Sequence, residues 1–221
     1  MAIIKHKEQR VAVFIDTQNL YHSAKNLYRA RVNFGAVLKE AVAGRQLIRA
    51  MAYVVTTESG EEKAFFEALT KMGIETKTKD LQVFYGGAKK ADWDVGLAVD
   101  AIALAPKLDA VVLATGDGDF VPLVEYLKAQ GVQVEVISFG KSSSGRLKEA
   151  ADDFIDMSDG VRKFLLVPGR FSISGATSLI SGKDVEGDEE GGVEEPQVVG
   201  SDTFEDEIVQ EEAAPRKNKS R

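Results

Sequence analysis

The chain has 221 residues, of which 44% are hydrophobic, and it contains no cysteine and only two histidines. This composition supports one domain with a substantial core, and it excludes disulfides, thiolate metal sites and zinc sites built on several histidines. Any metal must therefore be held mainly by oxygen ligands. No apolar run approaches the ~20 residues of a membrane helix, and the first ten residues lack a signal-peptide core, so we predict a cytoplasmic protein without a membrane partner.

The net charge of −7 is concentrated near the C-terminus. Residues 183–221 hold 13 acidic and 5 basic residues, so the remaining chain holds 22 acidic and 23 basic residues and is nearly neutral. A net negative charge over the whole chain would argue against an RNA partner, but the nearly neutral part outside residues 183–221 does not. Gly, Ser, Asp and Glu dominate the C-terminal part, so we predict a folded domain over residues 10–168, a short extension over residues 1–9 and a disordered acidic tail with a basic end over residues 169–221.

Strand and helix patterns alternate along the chain. The apolar runs VAVFI and AVVLA are typical of strands buried on both faces, and Val95, Ala98, Val99 and Ile102 have the spacing of a core-facing helix stripe. This alternation predicts an α/β fold whose mostly parallel sheet is covered by helices on both faces. The predicted strands are residues 11–15, 46–55, 74–78, 82–85 (after a Lys-Asp turn), 110–114, 132–138 and 154–157, and the predicted helices are residues 16–28, 34–43, 61–72, 94–105, 120–130 and 145–151.

Acidic residues follow several of these strands. Asp16 follows the first strand, Asp117 and Asp119 follow the AVVLA strand, and Asp94 opens a helix expected at the same sheet edge. Ligands of parallel α/β sheets bind beyond the carboxyl ends of the strands. Clustered carboxylates repel one another unless a cation lies among them, and oxygen ligands favour Mg²⁺ or Mn²⁺. The four residues therefore predict a site with one or two ions, suited to phosphodiester hydrolysis.

A simpler interpretation exists for each acid alone. An Asp at a strand-to-helix junction is often an N-cap, and the Gly-Asp-Gly-Asp segment could be a tight turn. Capping explains poorly why all four acids occur at one edge, so the joint metal site is favoured. Asp100 does not share a helix face with Asp94, and it ranks below the other acids.

Other polar residues are candidates for substrate binding. Asn19 lies one helical turn after the first candidate ligand, where its amide could contact the metal shell or the substrate, or simply be solvated. Lys141, Ser142 and Arg146 could bind a phosphate at a helix N-terminus, or belong to a flexible serine-rich loop. Trp93 could stack on a base or cover the core.

Three segments resemble one known family: VAVFIDTQNLY (residues 11–21), DWDVGLAVDA (92–101) and VVLATGDGDFVPLVEYLKAQGVQVEV (111–136). Together they resemble the NYN domain family of the PIN-like nuclease superfamily, in particular its LabA-like branch. The resemblance implies a PIN-like three-layer α/β/α sandwich and a metal-dependent ribonuclease using Mg²⁺ or Mn²⁺. By position it implies Asp16, Asp94, Asp117 and Asp119 as the acidic ligands, with Asn19 beside them. PIN-like domains often pair, so a homodimer is expected.

These patterns leave competing functional hypotheses. The first is a ribonuclease that cuts RNA, expected to be single-stranded. The second is a regulatory RNA-binding module with the same fold and little or no turnover, and the third is a phosphatase or nucleotide-binding protein. The absence of a GxxxxGK[ST] loop disfavours an NTPase, and the absence of GxGxxG after the first strand disfavours a dinucleotide enzyme.

Overall fold

A computed structural model describes residues 3–56, 63–80, 82–83, 89–90 and 93–166. The acidic tail lies outside these residues, so its disorder and the predicted domain boundaries stay predictions. Within the described ranges, no helix is long and apolar enough to cross a membrane.

Most predicted elements form close to their predicted bounds. Short additional elements near residues 31, 89 and 161 to 166 carry too few residues to leave a pattern in the sequence. In chain order the elements are β1 (Arg10–Asp16), α1 (Thr17–Tyr28), β2 (Arg31–Val32), α2 (Phe34–Val42), β3 (Gln46–Thr56), α3 (Lys63–Lys71), β4 (Glu75–Asp80), β5 (Gln82–Val83), β6 (Lys89–Lys90), α4 (Asp94–Leu104), β7 (Ala110–Ala114), α5 (Val121–Ala129), β8 (Gln133–Ser138), α6 (Gly145–Ala150), β9 (Asp153–Asp156), α7 (Val161–Phe164) and β10 (Leu165–Leu166).

Six strands form the main sheet in the order β4-β3-β1-β7-β8-β9, and every neighbouring pair is parallel. From β1 the chain builds outward to β4 on one side, and from β7 it builds outward to β9 on the other. The direction of winding therefore reverses between β1 and β7. Such a switch point opens a crevice beyond the carboxyl ends of the two strands, which is where open α/β sheets bind ligands.

The sheet is the middle of three layers. Because side chains alternate between the faces of a strand, Val11, Val13 and Ile15 of β1 pack with α1 to α3, whereas Ala12 and Phe14 pack with α4 to α6. All five side chains are fully buried. This arrangement confirms the predicted three-layer α/β/α fold and explains why β1 is apolar at every core position.

The predicted Lys-Asp turn is wrong. Lys79 and Asp80 belong to β4, and Asp80 pairs with Thr56 at the end of β3. The cause is the length of β3, whose eleven residues provide a backbone ladder that extends β4. Of the predicted strand over residues 82–85, Gln82 and Val83 form β5, which pairs with β6 in a separate antiparallel sheet, and the rest lies outside the described residues.

The predicted core face of α4 is wrong at three of its four positions, since of these residues only Ala98 packs against the core. Val95, Val99 and Ile102 are 74%, 58% and 40% exposed, whereas Leu97 and Ala101 are fully buried. The helix has only two charged residues among eleven, so its apolar spacing fits more than one face. As a result, α4 buries one apolar face and presents a second one to solvent.

Candidate metal centre

Three of the four predicted acids converge at the switch point. Asp94 is the first residue of α4, and Asp117 and Asp119 lie in the loop that follows β7. One carboxylate oxygen from each residue lies within 4.8 Å of those from the other two. Asp119 is exposed and the other two are half-buried, so the cluster is open to solvent. Its donors are all hard oxygen atoms, which fit a cation such as Mg²⁺ or Mn²⁺.

Asp16 lies behind this cluster at the end of β1. Its carboxylate caps α1 by accepting from the backbone N–H of Asn19 at 3.1 Å, and it accepts from the Thr115 hydroxyl at 3.1 Å. Burial, together with the charges of Asp94 and Asp117, raises the pKa of Asp16 to about 6, although the two hydrogen bonds oppose the rise. Asp16 is therefore an N-cap that is also repelled by the acids of the cluster. A positive charge bound nearby would favour its ionised form.

Thr115 is a buried residue at the end of β7 to which the sequence analysis gives no role. Its hydroxyl donates to Asp16, and its oxygen accepts from the backbone N–H of Asp117 at 3.2 Å. One side chain thus joins the ends of the two strands that flank the switch point. Its only sequence signal is its place just before the Gly-Asp-Gly-Asp segment, which does not reveal a partner 99 residues away.

Asn19 fixes the start of the acidic loop, which comprises residues 115–119 and follows β7. Its side-chain oxygen accepts from the backbone N–H of Gly116 at 2.8 Å, so Asn19 is not simply a solvated helix residue. Asp117 in turn accepts from the backbone N–H of Asp119 at 2.9 Å and caps the short 3-10 turn Gly118–Phe120. Asp117 is therefore both a cap and a member of the acidic cluster, and its capping hydrogen bond sets the direction of its carboxylate.

The serine-rich loop after β8 packs behind the acidic loop. The backbone N–H of Ser144 donates to the carbonyl of Gly116 at 2.9 Å. A Cβ atom on Gly116 would come within 2.8 Å of Ser143 Oγ, so the two loops approach closely only because this position is glycine. Lys148 of α6 donates to the Gly140 carbonyl and holds the loop from its other side.

The predicted phosphate-binding residues Lys141, Ser142 and Arg146 are all exposed, but Ser142 also contacts α1. Ser142 Oγ is directed toward α1, where it lies 2.9 Å from Ser23 Oγ. Their contact with a phosphate stays a prediction, and α6 is a helix of only six residues.

Trp93 directly precedes α4 and Asp100 lies within it, and both contact Tyr53 of the core. The Trp93 ring packs edge-on against Tyr53 with centroids 5.4 Å apart, and its Nε1 donates to the Val54 carbonyl at 3.0 Å. Asp100 accepts from the Tyr53 hydroxyl at 2.8 Å and pairs with Lys77 at 2.6 Å. These contacts agree with the lower rank that the sequence gives Asp100.

A parallel sheet with carboxylates clustered at its switch point defines the class, an α/β protein with a candidate site for a hard cation. Within this class, the sequence profile of the NYN domain matches residues 10–159. The chain therefore belongs to the NYN domain family, which confirms the family assignment made from the three motifs.

Similar proteins come from distant organisms. The low amplitude and bright protein LabA of Synechococcus elongatus is 28% identical over 170 residues, which cover 72% of this chain and 89% of LabA. An uncharacterized protein of Methanocaldococcus jannaschii is 29% identical over 157 residues, covering 69% of this chain but only 57% of its own length. A crystal structure of a protein of unknown function from Vibrio parahaemolyticus matches with a TM-score of 0.67 and 30% identity, covering 74% of this chain and all of that one.

Proposed function

We propose that this protein is a metal-dependent ribonuclease that hydrolyses phosphodiester bonds of single-stranded RNA in the cytoplasm. The observation that carries the proposal is the convergence of Asp94, Asp117 and Asp119 within 4.8 Å at the switch point of the sheet. The PIN-like nuclease fold of the NYN family supports the same conclusion.

The carboxylates supply the charge that a divalent cation requires. When bound, Mg²⁺ or Mn²⁺ activates a water molecule and neutralises charge on the phosphate. Asp94, Asp117 and Asp119 would hold the ion from two parts of the fold, and Asp16 would add negative charge beside them. An open cluster of this kind suits a polymer, which must lie across the site without being enclosed.

The surrounding polar residues keep the acids in place. Asn19 and Thr115 tie α1 and β1 to the acidic loop, and the serine-rich loop supports that loop from behind. Because these contacts hold the acids before any ligand binds, little rearrangement is needed when substrate arrives. Asn19 and Thr115 therefore act as positioning residues.

The first test is cleavage of a labelled single-stranded RNA in Mn²⁺ by the native protein and by Asp117→Asn. We expect cleavage that stops with a chelator and is lost in the variant. Glu67→Gln, which removes an exposed acidic charge on α3, is the control for a general charge effect and should cleave normally.

The other outcomes separate the alternatives. Equal cleavage by the native protein and Asp117→Asn would assign the activity to a contaminant or to another site. If neither protein cleaves but both bind RNA, the proposal fails and the regulatory RNA-binding module replaces it. That module should bind at least as well after Asp117→Asn, because the change removes repulsion from phosphate.

A further inference from the structure

A shallow groove of about 380 Å³ runs between α4 and α5, and its upper end is the acidic cluster. Asp94 and Asp119 line both the groove and the cluster, so a ligand bound at the cluster would lie at the mouth of the groove. Along its length the groove is lined by aliphatic and aromatic side chains, among them Ile102 and Tyr126.

The walls of the groove expose apolar side chains to solvent. Val95 is 74% exposed, Tyr126 is 45% exposed and Ile102 is 40% exposed. Exposed apolar side chains are common singly, but a contiguous patch beside a polar site is a mark of a binding surface. The patch exists because α4 is apolar on its outer face as well as its inner one.

The charge of the groove restricts what can occupy it. Among the residues that the structure describes, no Lys or Arg lines the groove, and the charged ones that do are Asp94 and Asp119 at the mouth. A phosphate backbone following this path would meet apolar walls without a basic contact. An uncharged planar ring would instead replace water on those walls and could stack on Tyr126.

We propose that the groove between α4 and α5 binds the unpaired base of the nucleotide next to the scissile phosphate. This inference rests on the proposed ribonuclease function and adds a subsite to it. A base in a duplex is stacked and paired, so it could enter the groove only by leaving the helix. The groove therefore gives the site its preference for single strands.

The test uses uridine oligonucleotides in which one stable abasic sugar replaces each position in turn. For the native protein in Mn²⁺, the abasic sugar should lower kcat/KM about tenfold at one position adjacent to the cleaved bond, a size typical of one stacked base. Tyr126→Ser and Ile102→Ser should each lower kcat/KM for the intact oligonucleotide by a similar factor. The losses should not add, because the variant and the abasic sugar remove the same contact.

Ile48→Ser is the matched control, since Ile48 is 42% exposed near the amino end of β3 and does not line the groove. It should behave like the native protein. Additive losses, or native kinetics in both groove variants, would overturn the base subsite while leaving metal-dependent cleavage intact. Absence of cleavage of every oligonucleotide would instead refute the proposed function.

A further outcome concerns a second copy of the chain. The oligomeric state of each protein is measured in parallel by light scattering. A native dimer that becomes monomeric in Tyr126→Ser and Ile102→Ser would identify the groove as an interface between copies and would overturn the proposal. An unchanged oligomeric state together with non-additive losses supports it.

Discussion

The two ends of the sheet differ in how the negative charge of their carboxylates is balanced. Near the amino ends of the strands, Glu135 is fully buried and is paired with Arg45 at 3.1 Å and Lys5 at 2.8 Å. At the carboxyl ends, Asp16 has two neutral hydrogen-bond donors and nearby acids, and its pKa is raised to about 6.

This difference separates structural charge from charge held for a ligand. The chain supplies the cations that balance Glu135, so that network needs nothing from solution. At the switch point burial and the neighbouring acids together raise the pKa of Asp16, and a bound cation would relieve the repulsion between the acids. Removing an acid should therefore destabilise the fold at one end and stabilise the metal-free fold at the other.

The largest expected effect is on folding. Glu135→Gln leaves Arg45 buried without a full counter-charge, so the free energy of unfolding should fall by about 3–5 kcal/mol. Chemical denaturation measures this loss. Glu75→Gln removes a carboxylate that pairs with Arg49 on the exposed edge, and it should cost less than about 1 kcal/mol. Similar losses in the two variants would remove the distinction between buried and exposed pairs.

The next effect is on activity. Asp94→Asn should lower single-turnover cleavage about a hundredfold, because one ligand charge is lost from the cluster. Asp100→Asn is the control on the same helix, and it should change the rate less than about threefold because Asp100 contacts Tyr53 and Lys77 instead. An equal loss from both variants would show that α4, rather than the cluster, is being disturbed.

A smaller effect concerns pH and stability without metal. The pKa of Asp16 rises from its ordinary 3.8 to about 6 on folding, so the protonated form stabilises the fold at low pH and this stability is lost as the pH rises through 6. In a chelator, Asp16→Asn should therefore be about 1–2 kcal/mol more stable than the native protein at pH 7.5, with little difference near pH 4.

Thermal unfolding with and without Mn²⁺ checks this expectation. Mn²⁺ should stabilise the native protein more than the variant and reduce the difference, since the ion binds the folded form. A variant less stable than the native protein at pH 7.5 in chelator would mean that the capping role of Asp16 outweighs its buried charge.

The smallest effect tests a positioning residue. Asn19→Ala removes the acceptor for the Gly116 N–H, so the acidic loop should lose its fixed position and kcat should fall about tenfold. The response to Mn²⁺ concentration should shift to higher concentrations as well. Asn26→Ala makes the same change at an exposed position of α1 and should have no effect. Identical kinetics in the two variants would rule out a role for the Asn19 contact.

The sequence predicts the parallel sheet and the convergence of the acids because both follow from local patterns. VAVFI and AVVLA are short apolar runs followed at once by acidic segments, and parallel strands bring their carboxyl ends together. The separate position of Asp16 could not be predicted, since it depends on a hydrogen bond to Thr115, which lies 99 residues away.

Other features depend on contacts between distant parts of the chain. The pairing of Arg45 with Glu135 spans 90 residues, and neither residue belongs to a motif. The outer face of α4 was assigned to the core because an almost wholly apolar helix gives no preferred direction. The length of β4 depended on its partner β3, which the local Lys-Asp pair does not show.

The two edge strands of the main sheet, β4 and β9, affect how the protein behaves at high concentration. An exposed strand offers unpaired backbone groups on which another molecule's strand can grow, and this growth leads to aggregation. Both strands carry charged side chains, which are Glu75, Lys77, Lys79 and Asp80 in β4 and Asp153 and Asp156 in β9. Charged side chains on an edge strand disfavour its pairing with another strand, so we expect these residues to keep the protein dispersed at concentrations where an uncharged edge would precipitate.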